Sequence, residues 1–495
     1  MRRGLLVAIA LFVFPSAATA APVLVLGRGG HAVLREDPFL TQPGLTPTPS
    51  GAPASGPSRA PASAFAGPPA SVHSLKVRAR VAARTVGSEL AGLLKKHELT
   101  RAQYRGYSTS FDASLRTARR LRGTRAIELQ SVIGNVQAIA AAGLTPSRLP
   151  VLFETLQRNV QWWTKGPLLS SGQRVEFTGS ELVWEYYPGQ GIELQELGSF
   201  GKADGLYTAG ASHYPRMRHL LAELIPLAAL RGGGLTWEYY FKFEGAGPPW
   251  TSAMSQGTAL EALTRAYKAF HDQSYLTIAR RALAIFSVAP PVGVSVRTAL
   301  GSRYLLYSFA PGEAVINGFL QTLIGLYDYA HVGRDARAAR LFALGNAEAQ
   351  AEVPRYDTGA WSLYAPGQED TLDYHTLVTG FLHELCSRTR ARVYCITAEH
   401  FDRYLKTPPS LELLTHSVRR DKATSIAFRL SKYSHVGIVL TRGGQTVLLT
   451  SAYFSYGVDA FSVPPLIHHG RYTVRLAATD LAGNFNRIVA TLQVS

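Results

Sequence analysis

Residues 315–335 read VINGFLQTLIGLYDYAHVGRD. Val315, Ile316, Phe319, Leu320, Leu323 and Ile324 recur at three- and four-residue steps, which places six apolar side chains on one face of a helix. His331 to Asp335 then supplies a turn, with a shorter helix predicted beyond it. The same unit recurs on both sides. Upstream, Leu260, Leu263, Ala266 and Tyr267 make a face, His271-Asp272-Gln273 a turn, and Leu276, Ala279, Leu283 and Phe286 the returning face. Met217, Leu220, Leu221, Leu224 and Ile225 precede them, and Leu377, Phe381, Leu382 and Leu385 open a further pair downstream. Helix starts near 256, 315 and 373 are about 59 residues apart. Serial hairpins that bury a shared face predict a mainly α fold, an α/α barrel or toroid with its loops gathered at one end.

Helical spacing extends back through 88–165, where Ile127, Val132, Ile133, Val136 and Ile139 form one stripe and Leu149, Leu152, Leu156 and Val160 the next. Beyond Pro408-Pro409 the period changes from helix to strand. Ile426, Phe428 and Leu430 alternate, as do Val436, Ile438 and Leu440, and Tyr472, Val474 and Leu476. Gly443-Gly444 and Gly483-Asn484 mark turns. Residues 408–495 are therefore predicted to be a small antiparallel β-sandwich. Its segment YTVRLAATDLAGN, 472–484, resembles the penultimate strand and turn of immunoglobulin-like or fibronectin-type modules.

The N-terminus has a different character. MRRGLLVAIALFVFPSAATA, 1–20, combines two arginines, an apolar run from Leu5 to Phe14 and the small-residue site Ala18-Thr19-Ala20, as in a secretory signal peptide. That run is too short to cross a bilayer. Val23 to Leu26 followed by GRGG has the outline of a dinucleotide loop but lacks the following helix. Residues 41–70 contain eight prolines, and 21–72 are predicted to be a linker. The main domain is then 73–407. The expected location is secreted or attached to the cell envelope, with no transmembrane span after signal cleavage.

The chain of 495 residues has a formal charge of +17. Residues 73–130 hold 13 basic and 4 acidic residues, 408–495 hold 9 and 4, and 131–407 hold 24 of each. Positive charge thus sits in the flanks, where it suits a wall or envelope polyanion. Arg116, Arg119 and Arg120 share a helical face that is either such a surface or simply solvated. Export and the lack of a recognisable motif argue against nucleic acid as the partner. Cys386 and Cys395, at the end of one predicted helix and the start of the next, are expected to form a disulfide worth about 2–3 kcal/mol. No metal site is predicted: His383-Glu384 lacks the second histidine of a zincin, and neither a P-loop nor a GxSxG elbow occurs. No cofactor is predicted.

Four loops between the helices are rich in aromatic and acidic residues: 184–191, 237–240, 303–307 and 356–375. Aromatic faces stack on sugar rings while carboxylates and amides bind hydroxyls, so the mixture suits a carbohydrate groove as well as the rim of a large core.

At this point Ser252-Ala253-Met254-Ser255-Gln256-Gly257, Val315-Ile316-Asn317-Gly318-Phe319 with Leu323-Ile324-Gly325-Leu326-Tyr327-Asp328, Tyr356-Asp357-Thr358-Gly359 and Asp373-Tyr374-His375-Thr376 carry a resemblance. In order and spacing over about 220–400 they are similar to the catalytic helical domain of the D-glucuronyl C5-epimerases. The resemblance implies removal of the C5 proton of a uronate within an acidic polysaccharide and return of a proton to the opposite face. Such chemistry needs a base, an opposed acid, and cationic or hydrogen-bonding groups around the carboxylate. It implies Tyr307 and Tyr374 as catalytic residues and Tyr364 as a further tyrosine of the site. Substrate-binding candidates from the loops and matched motifs are Tyr364, Tyr356, Trp361, Arg303, Arg355, His375, Asn317, Gln256, Glu238 and Tyr187. Two positions depart from the family pattern: Leu306 stands for its glutamate and Gly367 for its arginine. Glu238, Glu313 or Glu369 are candidate replacements for the acid, and Arg303 or Arg355 for the cation. A polysaccharide lyase and a non-catalytic glycan-binding protein are the alternative readings.

Overall fold

The computed structural model describes residues 21–40 apart from 28, and 84–495 apart from 421, 422 and 467. The expected signal segment and residues 41–83 lie outside the described residues.

Local sequence starts and stops the helices. Thr85 and Thr100 head α1 (Val86–Lys95) and α2 (Arg101–Arg120) with reciprocal capping boxes to Ser88 and Gln103. α3 (Gly123–Ala142) and α4 (Leu149–Lys165) follow, and α2, α3 and α4 pack on one another. Of the α3 stripe, Val132, Ile133, Val136 and Ile139 are buried, whereas Ile127 is 58% exposed and does not belong to it. Arg116, Arg119 and Arg120 are exposed on α2.

Four hairpins succeed one another: α5 (Glu196–Thr208) with α6 (Tyr214–Leu224), α7 (Ala253–Phe270) with α8 (Gln273–Ala282), α9 (Ile316–Gly333) with α10 (Ala336–Glu352), and α11 (Leu372–Thr389) with α12 (Arg392–Tyr404). α5 packs on α7, α7 on α9 and α9 on α11, while each even-numbered helix packs on its predecessor. Two of the turns use one device. α7 ends at His271 and α9 at Arg334, both left-handed, and the aspartate that follows, Asp272 or Asp335, caps the next helix. Where α7 meets α9 there is no room for side chains: a Cβ on Gly325 would lie 1.9 Å from the carbonyl oxygen of Gly257. The glycines of these two motifs therefore serve helix contact. The hairpins, α1–α4 and the strands between share one apolar core running from Leu26 to Tyr404.

Those strands correct the linker expectation. β1 (Ala21–Leu26) and β2 (Ala32–Asp37) form a hairpin and join β3 (Arg174–Phe177), β4 (Trp184–Tyr187) and β5 (Gly191–Leu194) in a sheet of order β2-β1-β3-β4-β5, with β1 parallel to β3. The glycines after Leu26 close a tight hairpin turn. Val23 and Leu26 are fully buried, and buried Lys202 of α5 pairs with Asp37 at 3.2 Å and Glu176 at 2.6 Å, which fixes the hairpin to the helices. The proline-rich composition of 41–70 does not extend to these residues.

Residues 411–494 form two sheets over one core. Thr424–Leu430 lies between Leu411–Leu413 and Gly457–Val463, and the other sheet runs Ser417–Val418, Phe485–Val494, Gly470–Asp480, Ser434–Arg442, Gln445–Phe454. Ile426, Phe428, Leu430, Val436, Ile438, Leu440, Val474 and Leu476 point into that core in strict alternation. Gly443-Gly444 joins two strands and Gly483 turns between the last two. Cys386 and Cys395 are disulfide-bonded across the α11–α12 turn. Among the described residues no helix is long and apolar enough to cross a membrane.

Candidate active site

Tyr307, Tyr364 and Tyr374 come from three separate segments and meet. Tyr307 follows the strand Ser302–Tyr304, Tyr364 sits on the short hairpin 363–369, and Tyr374 is in the first turn of α11, where the Thr371 side chain caps its amide. The hydroxyls of Tyr307 and Tyr364 perturb one another's ionisation, and the Tyr364 and Tyr374 rings lie 5.2 Å apart. Phe309 and Phe243, each 5.4 Å from the Tyr307 ring, and Trp250 at 5.9 Å form an aromatic wall behind it. Burial raises all three phenols, Tyr307 well above its ordinary range and Tyr374 to about 12. A free phenolate is therefore disfavoured, and any tyrosine that takes a proton has to pass its own onward.

Carboxylates act electrostatically on the three phenols. Glu244 acts on Tyr307, and Glu244 and Glu313 both act on Tyr364; Asp370, Glu185 and Asp373 act on Tyr374. Burial lifts Glu185 and Asp370 each to about 7. The Asp370 carboxyl accepts a hydrogen bond from Ser362 Oγ at 2.5 Å, and Ser362 in turn lies 2.7 Å from His375 Nδ1.

Of the three replacement acids considered from sequence, only Glu313 acts electrostatically on the tyrosines. Glu238 is 1% exposed and bound by Arg148 at 2.7 and 2.8 Å, Arg231 at 2.7 Å and Tyr240 at 2.8 Å. Burial would raise its pKa, but the two arginines outweigh burial and hold it below the usual range. Glu369 accepts from the backbone amides of Tyr433 and Tyr456 and so ties the β-sandwich to the hairpin that carries Tyr364.

The other candidates are parts of the packing. Arg303 pairs with Glu352 and bonds the Tyr356 hydroxyl at 3.0 Å, and Tyr356 donates to Ala314 O. Arg355 is exposed beside that pair. Gln256 donates to Trp237 O, and Asn317 accepts from Gly318 N within α9. Trp361 stacks on His375 at 3.8 Å, and both are buried; burial lowers His375 to about 4 and Phe401 O holds its Nε2 at 3.0 Å. Tyr187 is buried and stacks on Phe241 at 4.6 Å. Arg355 apart, the polar groups of these candidates are engaged within the domain, so that their structural role is the one on view.

The two departures have structural reasons. Leu306 is 4% exposed and packs in the apolar core against Gly318. Gly367 sits at the tip of the Tyr364 hairpin with φ +81°, which a side-chain-bearing residue adopts only with strain.

Sequence reasoning missed Glu185, Glu244 and Asp370 as neighbours of the tyrosines. Period-two alternation in 184–187 puts Glu185 and Tyr187 on one strand face, which was a usable signal. Glu244 depends on a left-handed turn residue, φ +47°, that no periodicity reveals. Among the described residues no group of three or more His, Cys, Asp or Glu could hold a metal ion.

Comparison with known proteins bears on the segment holding all three tyrosines. Residues 232–403 match the family model described as the D-glucuronyl C5-epimerase C-terminus. A D-glucuronyl C5-epimerase of Caenorhabditis elegans is 32% identical over 178 residues, covering 32% of this chain and 29% of the worm protein. An uncharacterized protein of Methanocaldococcus jannaschii is 28% identical over 137 residues, 26% of this chain and 44% of that one. The chain thus spans less than half the length of these relatives. Solved structures with partial likeness include a sugar epimerase from a ruminal bacterium, with TM-score 0.31, 14% identity and coverage of 43% of this chain and 59% of that one. Cellobiose 2-epimerase from Bacillus thermoamylovorans gives 0.34, 10%, 57% and 75%.

Proposed function

We propose, on the premise that residues 232–403 belong to the D-glucuronyl C5-epimerase C-terminal family, that this chain is an exported enzyme that inverts C5 of uronate residues within a polysaccharide. The observation that carries the reading is the meeting of Tyr307, Tyr364 and Tyr374 beside an aromatic wall in the segment that matches the family. In this reading the uronate lies between Tyr307 and Tyr374, one on each face. One tyrosine takes the C5 proton as its own moves to a neighbour, and the other delivers a proton to the opposite face. The carbanion is spread into the uronate carboxylate as an enolate, which hydrogen-bond donors stabilise.

The helical part is read as an α/α toroid. This is supported by the serial hairpins, in which α5, α7, α9 and α11 pack on one another in succession. The sandwich is read as an immunoglobulin-like module that supports the Tyr364 hairpin through Glu369. Export rests on residues 1–20, and contact with an envelope polyanion on the basic flanks.

Incubation of the full mature chain with glucuronate-containing polymers in D2O tests the reading. Deuterium at C5 in intact chains is the expected result. New alkene absorbance with chain scission would establish a lyase instead, and binding without exchange would establish a glycan-binding protein.

A further inference from the structure

We infer that the outer face of the five-stranded sheet in the β-sandwich is a groove that binds an acidic glycan strand and holds it beside the segment carrying Tyr364. Taking that strand to be the substrate rests on the epimerase reading, whereas the groove itself stands on the sheet.

Strand register builds the groove. Val436, Ile438 and Leu440 point into the core, so His435, Gly437 and Val439 point out. Cross-strand pairing sets Tyr453, His435, Thr479 and Phe485 in one row. Two residues along, Ser451, Gly437, Ala477 and Arg487 form the next row, and Leu449, Val439, Arg475 and Val489 the one after. The two larger rows are ridges, and the middle row, small as far as Arg487, is the floor. At ordinary strand spacing the ridges stand about 14 Å apart and the floor crosses four strands over about 14 Å, room for a short run of sugar rings.

Packing does not call for glycine at 437. The residue lies away from the pairing irregularity at Leu440 and Thr441, and a Cβ there would meet nothing closer than Ala477 O at 3.8 Å. A glycine inside a strand weakens it and marks a place where a ligand approaches the backbone closely.

The ridges are apolar and open: Leu449 is 75% exposed, Val489 64%, Phe485 55% and Tyr453 51%. Exposed apolar surface rimmed by polar groups marks a contact site. Tyr453 is fixed in place, with Tyr433 stacked on it at 5.4 Å and His435 edge-on at 5.0 Å. A ring held in this way stacks on a sugar ring without losing freedom of its own. The charge on the face has one sign. Arg471, Arg475 and Arg487 are exposed and form no ion pair among the described residues. No described Asp or Glu of the module joins them, since Glu412 and Asp459 belong to the other sheet and Asp480 turns inward to Lys432. Guanidinium groups beside stacking rings select a glycan that carries carboxylates. At the Tyr453 end the groove reaches the active-site segment, because the Tyr433 amide donates to Glu369 on the hairpin that carries Tyr364.

Gly437→Val tests the groove. Its methyls fill the floor without meeting the sheet, and valine favours a strand, so the variant should melt no lower than the wild type. Calorimetric titration of the full mature chain with polyglucuronate at low salt should show affinity about ten-fold weaker in Gly437→Val and in Tyr453→Ala. The pair Arg475→Ala and Arg487→Ala should lose as much and flatten the salt dependence. Dextran of equal length should bind more weakly than polyglucuronate. In C5 exchange the same variants should raise KM for the long polymer, leave kcat unchanged and spare short oligosaccharides. No polyglucuronate binding by the wild type, wild-type affinity in every variant, or a loss seen only when Arg116, Arg119 and Arg120 are replaced overturns the groove and leaves the epimerase reading intact. A dimer that Gly437→Val dissociates, with glycan binding unchanged, gives the face to a second copy and also overturns it. Polyglucuronate binding that Gly437→Val weakens, with no C5 exchange by the wild type on any uronate polymer, keeps the groove and overturns the epimerase reading.

Discussion

Lys432 and Asp480 form an ion pair of 2.6 Å with both side chains at 2% exposure or less. Both belong to the β-sandwich, yet the same ammonium donates to the backbone oxygens of Tyr404 and Thr407 at the end of α12 and lies 5.2 Å from the Trp361 ring. A cation at a helix C-terminus meets the negative end of the dipole, so this one residue ties the module to the helices. Lys432→Met leaves Asp480 buried and uncompensated. It should cost about 3–5 kcal/mol and split one calorimetric transition into two. A single transition at the original temperature would show that the seam is held by something else.

Tyr374→Phe keeps the ring beside Tyr364 and removes only the hydroxyl. If Tyr374 exchanges its proton with the substrate, kcat for C5 exchange falls by about a hundred-fold or more and KM changes little. Tyr364→Phe removes a hydroxyl that perturbs Tyr307 but exchanges no proton with the substrate, so its loss should be smaller. Equal losses in the two variants would contradict these separate roles.

Glu244 and Glu313 raise the phenols they act on and present negative charge to an acidic polymer. Replacing both by glutamine should lower KM for a uronate polymer by about five-fold at low salt, which corresponds to about 1 kcal/mol of removed repulsion. The gain should shrink as salt rises. A KM that rises instead would mean that these carboxylates bind sugar hydroxyls.

What the sequence made legible was what is local. Apolar spacing predicted starts near 256, 315 and 373, and α7, α9 and α11 begin at Ala253, Ile316 and Leu372. Alternation predicted the sandwich strands because one face of each is buried within its own module. What stayed hidden depends on distant partners. β1 gains its place by pairing with β3 about 150 residues away, and neither the engagement of Glu238 by Arg148 nor that of Arg303 by Glu352 is encoded near those residues. The tyrosines were legible only through family resemblance, since no spacing rule brings 307, 364 and 374 together. Glu185 escaped because the resemblance, strongest over 220–400, stops short of it.

Glu193 provides a pH-dependent check on the buried acids. It is 2% exposed, its Oε1 has no hydrogen-bond partner in the protein, and burial raises its pKa well above the carboxylate range. In the unfolded chain it ionises near the ordinary glutamate value. The folded state therefore keeps a proton that the unfolded state releases as pH rises. The group's contribution to stability is full below the unfolded pKa, about 4.3, and is lost as pH climbs toward the folded one. Glu193→Gln removes that dependence while preserving shape and one acceptor. The variant should melt higher than the wild type at pH 8, by about 2 °C or more, with the difference vanishing near pH 4. A variant that melts lower at both values would mean that the Glu193 carboxyl makes a favourable interaction in the fold, and that its burial is not a cost.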